Sequence, residues 1–168
     1  MKNIKIVSGT INDTAEILKF ITALGVYEKL EHEVVVTEEM LKKNLFGDKK
    51  YAEVLFIEVD SKKVGFALFF TNFSTFLGLP GIYLEDLFVL PEFRGEGYGK
   101  KLLTYIARLA VERGYGRFEW SVLDWNTSAI DFYNSIGAIP MSEWTVQRLS
   151  GETLKSVAQT YNHQSIGM

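Results

Sequence analysis

Residues 87–100 read Leu-Phe-Val-Leu-Pro-Glu-Phe-Arg-Gly-Glu-Gly-Tyr-Gly-Lys. An apolar run ends at Pro91. Glycines follow at every second position, Gly95, Gly97 and Gly99, with Arg94 before them and Lys100 after. Glycine lets backbone N–H groups approach an anion closely, and a helix opening at that point adds unpaired donors and a partial positive charge. Together with two cations, this is chemistry for a pyrophosphate. Two familiar phosphate motifs do not fit. The spacing is G-x-G-x-G rather than G-x-G-x-x-G, and a P-loop would need glycine at Arg94 and Ser or Thr at Lys101.

A second chemical feature lies just upstream. Glu85 and Asp86 stand side by side in the apolar run 82–90, where a carboxylate is costly to bury unless it is used or paired. Strict alternation would put Tyr83, Glu85, Leu87 and Val89 on one face and Leu84, Asp86, Phe88 and Leu90 on the other. A third is the acidic stretch 27–39, with Glu28, Glu31, Glu33, Glu38 and Glu39 against Lys29 alone. Its ordinary reading is a solvated face. There is no cysteine, which removes thiolate metal sites and a cysteine nucleophile, and the two histidines, His32 and His163, are too few for a histidine-built metal cluster.

The elements that must hold these residues follow from periodicity. Residues 2–8 alternate as a strand. Asp13 and Glu16 make a capping-box pattern before a helix whose apolar face is Ile17, Phe20, Ile21 and Leu24, with Gly25 as its stop. Thr37 caps a short helix over 38–46. Strands are expected at 51–59 and 64–70 as a hairpin, and at 82–90. An amphipathic helix over 97–113 buries Leu102, Leu103, Ile106, Leu109 and Ala110. A strand at 117–123, a helix capped by Asn126 and closed by Gly137, and a last strand at 143–149 follow. The stretch 64–84 carries no charge and is long enough to span a bilayer, but its polar, glycine and proline residues make it two buried strands and a loop. The order is that of an α/β domain with a mixed sheet. It occupies 1–150, with a polar tail, 151–168, that is part helix or partly disordered.

Composition sets limits. The chain has 168 residues, 47% hydrophobic and 23% charged, as in ordinary globular domains. A net charge of −3 speaks against a nucleic-acid partner. With no targeting segment in view, the expected compartment is the cytoplasm, with no membrane partner.

At Arg94-Gly95-Glu96-Gly97-Tyr98-Gly99 the chain resembles the R/Q-x-x-G-x-G/A turn of the GCN5-related N-acetyltransferases (GNAT), which bind acetyl-coenzyme A. Asn126, Ala129 and Tyr133 are similar to the second signature of that family. Tyr83-Leu84-Glu85-Asp86-Leu87-Phe88-Val89, Asp124-Trp125-Asn126, Asp131-Phe132-Tyr133 and Tyr27-Glu28 resemble its diamine (spermidine/spermine) branch. The resemblance covers about residues 3–150. It departs near Ser142-Glu143-Trp144 and in the tail. It implies an α/β (α+β) GNAT fold: a mixed, mostly antiparallel central sheet with helices on both faces.

For the site, the resemblance implies that residues 94–100, Lys100 included, hold the coenzyme with Asn126 and Ala129. The strand residues Leu87, Phe88 and Val89 would hold the thioester carbonyl and pantetheine arm through their backbone. Tyr133 would be the general acid, since a phenol near pKa 10 can protonate a thiolate whose acid is near 8.5; otherwise it is a core tyrosine. Glu85 would face the substrate, as a base through water or as an ammonium anchor, and Asp86 would be structural. Tyr27, Glu28, Glu119, Trp120 and Ser121 would line the amine channel. No metal is expected. The activity implied is direct transfer of acetyl from acetyl-coenzyme A to a primary amine of a diamine or polyamine in a ternary complex, by a homodimer. The alternatives are acetylation of a lysine-like amino acid such as thialysine, or another small amine, and a non-catalytic acyl-coenzyme A-binding regulator.

Overall fold

The alternating residues of Ile4–Ser8 form strand β1, which pairs antiparallel with β2 (Glu53–Val59) in a computed structural model that describes residues 2–161. His163 and the end of the tail lie outside the described residues. Asp60 and Ser61 both take positive φ, 49° and 67°, the backbone that a tight hairpin between right-twisted strands requires. They reverse the chain into β3 (Lys62–Ser74), which pairs antiparallel with β2 and with β4 (Leu79–Val89). β4 pairs in parallel with β5 (Arg117–Trp120), so the sheet order is β1-β2-β3-β4-β5. The uncharged stretch is two strands, as expected, although pairing runs further than expected, out to Ser74 opposite Leu79. Among the described residues no helix is long and apolar enough to cross a membrane.

Helix α1 (Thr14–Glu28) follows a 3-10 turn, Ile11–Asp13. The reciprocal cap is one turn earlier than the Asp13/Glu16 expectation. Asp13 Oδ2 accepts from the Thr10 backbone N–H at 2.8 Å and from Thr10 Oγ1 at 2.7 Å, while Oδ1 is ion-paired with Lys63. Gly25 does not stop the helix. It is buried, and a Cβ there would lie 2.7 Å from Val34 Cγ2, so the glycine serves a close approach. The helix runs on to Glu28 and ends at Lys29 in the left-handed region, which puts Tyr27 and Glu28 in its last turn. Helix α2 (Glu38–Phe46) starts as expected at Thr37, whose hydroxyl accepts from Met40 N–H at 3.2 Å.

β2 buries Val54, Leu55, Phe56 and Ile57 in succession. Because side chains alternate, both faces of the sheet are covered. On one, Val54, Phe56, Phe66 and Phe88 meet Ile17, Phe20 and Leu24 of α1 and Leu41 and Leu45 of α2. Helix α3 (Tyr98–Glu112) packs against β2, β3 and β4 and buries Leu102, Leu103, Ile106 and Ala110. This is a five-stranded mixed sheet, antiparallel except at its last pair, in an α/β fold.

The chain divides into two compact units, Met1–Ser121 and Val122–Met168. The second holds α4 (Thr127–Ser135) and α5 (Gly151–Gln159). Asn126 caps α4 by accepting from Ala129 N–H at 3.4 Å, and Gly137 leaves it with φ 87°. The strand expected over 143–149 is absent. A strand needs a partner for its N–H and C=O groups. Among the described residues, Thr145 to Leu149 make no backbone hydrogen bond, and the last one before them runs from Trp144 N–H to Met141 O at 3.0 Å. Every residue of 139–150 is exposed.

Candidate active site

The register of β4 decides which carboxylate points inward. Leu68 pairs with Asp86, but Phe69 pairs with Leu84, so Glu85 has no partner across the ladder and forms a bulge. Alternation slips by one there. Phe88 belongs to the core beneath α1 and α2, and Asp86, two residues before it, shares that side. Tyr83, opposite Phe70, shares it too. The strict alternation expected from sequence is therefore broken at the acidic pair. Glu85 is exposed on the bulge and Asp86, half-buried, is the more enclosed member of the pair.

Burial pushes the Asp86 carboxyl up to about 7, and the negative charges of Glu85 and Glu28 push in the same direction. Glu28, half-buried at the end of α1, is itself raised by burial. Three carboxylates thus share a neighbourhood in which one of them is poised near neutral pH, where a proton acceptor works best. Alternation left open which of the pair turns inward, and the resemblance assigned Glu85 to the substrate and Asp86 a structural place. A proton is bound to Asp86 in the folded chain between about pH 4 and 7 but lost from the unfolded one, so stability falls as pH rises through that window. Asp86→Asn should remove this cost. Its melting temperature relative to the parent should rise by several degrees between pH 5 and pH 8, from about 2–3 kcal/mol, as thermal unfolding at the two pH values would show.

Arg94 sits between this cluster and the glycine turn. Its guanidinium lies over the rings of Tyr27 at 4.5 Å and Phe88 at 5.1 Å, and its Nε donates to Val89 O at 2.9 Å. The Tyr27 and Phe88 rings are themselves 6.1 Å apart. In the turn, Gly95 and Gly97 take φ 81° and 79°, and a Cβ on either would touch nothing within 4 Å. These glycines are required by backbone conformation and leave open space beside them. Gly97 is the N-cap of α3 and offers no side chain to cap it, so the first-turn N–H groups, which have no partner within the helix, face the turn. Lys100 is exposed there, Glu96 is ion-paired with Lys2 at 3.0 Å, and Tyr98 is buried as an anchor of the helix. Pairing of β4 with β5 covers only Gly81 to Leu84. Beyond it, Leu87, Phe88 and Val89 have a strand neighbour on one side.

The expected trio on β5 is split by the sheet. Glu119 lies beside Tyr83 and Trp120 beside Leu84, so they face opposite sides. Ser121 Oγ is 2.7 Å from Tyr83 Oη. The Glu119 carboxylate is held within the sheet, 3.0 Å from both Asn72 Nδ2 and Arg117 Nε. In the second unit Asn126 caps α4, as described. Ala129 and Tyr133 are half-buried on that helix, with the Tyr133 ring 5.5 Å from that of Phe132. Among the described residues no group of three or more His, Cys, Asp or Glu is placed to hold a metal ion.

Residues 20–138 match the profile of the acetyltransferase (GNAT) family. The chain is 36% identical over 157 residues to a thialysine N-epsilon-acetyltransferase of Sus scrofa, covering 87% of this chain and 92% of that protein. It is 33% identical over 193 residues to an L-ornithine N5-acetyltransferase of Arabidopsis thaliana, covering 88% and 85%. Among solved structures, an integron cassette protein from V. cholerae superposes with a TM-score of 0.79 at 24% identity, over 94% of this chain and 98% of that one.

Proposed function

The chain belongs to the acetyltransferase (GNAT) family, and from that premise we propose that it acetylates the side-chain amine of a small diamino acid of the lysine or ornithine type. It is an acetyl-coenzyme A-dependent N-acetyltransferase. The observation that carries a two-amine acceptor is the group of three carboxylates, Asp86, Glu85 and Glu28, around the β4 bulge. The similarity to the thialysine and L-ornithine acetyltransferases favours a diamino acid among such acceptors.

The coenzyme fits the turn on the chain's own geometry: open space beside Gly95 and Gly97, unpaired N–H groups at the start of α3, and Arg94 and Lys100 as cations. Acetyl-coenzyme A supplies the activated thioester. In the proposed step Asp86 takes the proton of the attacking ammonium. Glu28 and Glu85 hold the charge that remains on the substrate, and Tyr27 flanks its methylene chain. The backbone N–H of Val89, which points to the edge of β4 away from β3, stabilises the carbonyl oxygen as charge builds, while that of Phe88 faces β3, as Leu90 N–H does in donating to Val64 O. Tyr133 protonates the departing thiolate, the role its match to the second signature carries over. With no cysteine in the chain, the amine attacks the thioester directly. Asn126 and Ala129 are proposed as coenzyme contacts, and Glu119 and Ser121, which share the Tyr83 side of the sheet, as the outer wall of the amine site; Trp120 faces the other side and is left out of it. We also propose a homodimer as the working form.

The same acidic wall favours a second reading, a polyamine acceptor. Thiol release with acetyl-coenzyme A, measured across thialysine, lysine, ornithine, putrescine and spermidine, decides. The diamino acids should show the highest kcat/KM. A preference for spermidine would install the second reading, and binding of acetyl-coenzyme A with no turnover of any amine would leave a regulator. In either enzyme Glu28→Gln should raise KM about tenfold for substrates with a second positive charge, the loss expected for a hydrogen bond to a charged group, and leave monoamines nearly unchanged.

A further inference from the structure

We propose that Arg117 is the group that selects an amino acid over a plain diamine. Its guanidinium receives the α-carboxylate of the acceptor, with Glu119 beside it for the α-ammonium. The assignment rests on the diamino-acid acceptor proposed for this site and names the group that recognises it. Such a substrate carries a negative charge that a polyamine lacks, and the three carboxylates around the β4 bulge can only repel it. A cation must therefore stand within reach on the same side of the sheet.

β5 supplies it. Arg117 pairs with Gly81 and Glu119 with Tyr83, so both share the side on which Tyr83 and Asp86 lie. On β3, Asn72 pairs with Gly81 and Phe70 with Tyr83, and these share it too. The opposite side of the same strands is sealed, with Phe69, Ile82 and Leu84 buried, whereas Phe70, Asn72, Tyr83, Arg117 and Glu119 stay partly exposed. Arg117 lies across β4. Its Nη2 donates to Phe73 O on β3 at 3.1 Å, and its Nε is 3.0 Å from Glu119 Oε2. Gly81 makes the crossing possible, because a Cβ there would lie 2.7 Å from both Arg117 Cγ and Asn72 Oδ1. Asn72 Nδ2 in turn donates to Glu119 Oε2 at 3.0 Å, while its Oδ1 is enclosed with no hydrogen-bond partner. An enclosed acceptor without a donor costs stability, so the cluster carries a cost that packing alone does not explain.

A guanidinium presents five N–H donors in a planar fork that matches a carboxylate. The contacts to Phe73 and Glu119 engage two of its nitrogens, and the Arg117 side chain is 34% exposed, so the fork keeps donors for a ligand. The spacing fits a side chain of lysine length. On β3, Leu68 stands opposite Asp86 and Asn72 opposite Gly81, a separation of about 13 Å at about 3.3 Å per residue. A lysine-type chain extends about 7 Å from its side-chain nitrogen to its carboxyl carbon, and a charge-assisted contact of about 2.8 Å at each end covers the rest. The Phe70 and Tyr83 rings, 5.2 Å apart, lie between the two ends as a bed for the methylenes.

Thiol release from acetyl-coenzyme A, measured with lysine against cadaverine and with ornithine against putrescine, tests this, because each pair differs only in the carboxylate. The parent should favour the amino acid of each pair by about tenfold or more in kcat/KM, the worth of hydrogen bonds to a charged group. Arg117→Gln should abolish that preference by raising KM for the amino acids, and Arg117→Lys should restore part of it. Calorimetric titration of acetyl-coenzyme A checks that both variants fold. Lysinamide, whose carboxyl end is neutral, needs no variant and should behave on the parent as cadaverine does. An equal loss for amino acids and diamines in Arg117→Gln marks a structural arginine and overturns the assignment. A parent indifferent to the carboxylate, or one whose preference for it survives Arg117→Gln, overturns the assignment while leaving a two-amine acceptor standing. A parent that turns over spermidine best overturns the diamino-acid acceptor and this assignment with it.

Discussion

Tyr133→Phe should lower kcat by about 100-fold or more, with affinity for acetyl-coenzyme A little altered. The substitution keeps the ring, and with it the packing against Phe132 at 5.5 Å, and deletes only the proton donor. Removal of a general acid costs about 10²–10⁴-fold. The loss should appear in kcat and kcat/KM together, because the proton is delivered only as the thiolate leaves. Stopped-flow thiol release and calorimetric titration of the coenzyme separate the two effects. Turnover near the parent rate would return Tyr133 to the role of a packing residue on α4.

Gly97→Asp should weaken acetyl-coenzyme A at least about 100-fold. Gly97 sits at φ 79°, where an L side chain costs roughly 1–2 kcal/mol. The new carboxylate would also stand in the open space beside the α3 N-terminus, where the proposed pyrophosphate carries the same sign of charge. Gly97→Ala isolates the backbone cost and should weaken binding less. Arg94→Ala should also weaken it, by about tenfold, the loss of one charge-assisted contact. Calorimetry showing unchanged affinity for both Gly97→Asp and Arg94→Ala would remove the coenzyme from this turn.

The glycine turn was legible in the chain itself, because its function rests on backbone conformation and glycine at 95 and 97 announces that conformation. The sheet was legible because its strands are punctuated by charges and prolines. The end of α1 was not. Gly25 reads as a stop, and only Val34 packed against its missing side chain explains why it lies inside the helix. Nor was the inward carboxylate legible. Glu85 and Asp86 are equally at home in an apolar strand, and the choice between them rests on a cross-strand pairing with Leu68 and Phe69 that local sequence does not encode. The strand expected over 143–149 has the right residues, but strand formation also needs a neighbour, and composition is silent on where that neighbour comes from.

The bulge at Glu85 makes chain length a chemical variable. Ahead of it, odd-numbered residues such as Tyr83 share the side of the sheet that even-numbered Asp86 and Phe88 occupy behind it. One unpaired residue thus acts as a phase inverter, and the identity of the inward-facing acid is stored in a count as well as in a side chain. Exchange of one carboxylate for another at this point leaves the count intact. Loss or gain of a single residue anywhere between Leu84 and Asp86 would turn the following half-strand over, and would present the aromatic residues to the wrong layer along with the acid. A lineage of such enzymes can vary its acidic residues here far more freely than it can tolerate an insertion or a deletion.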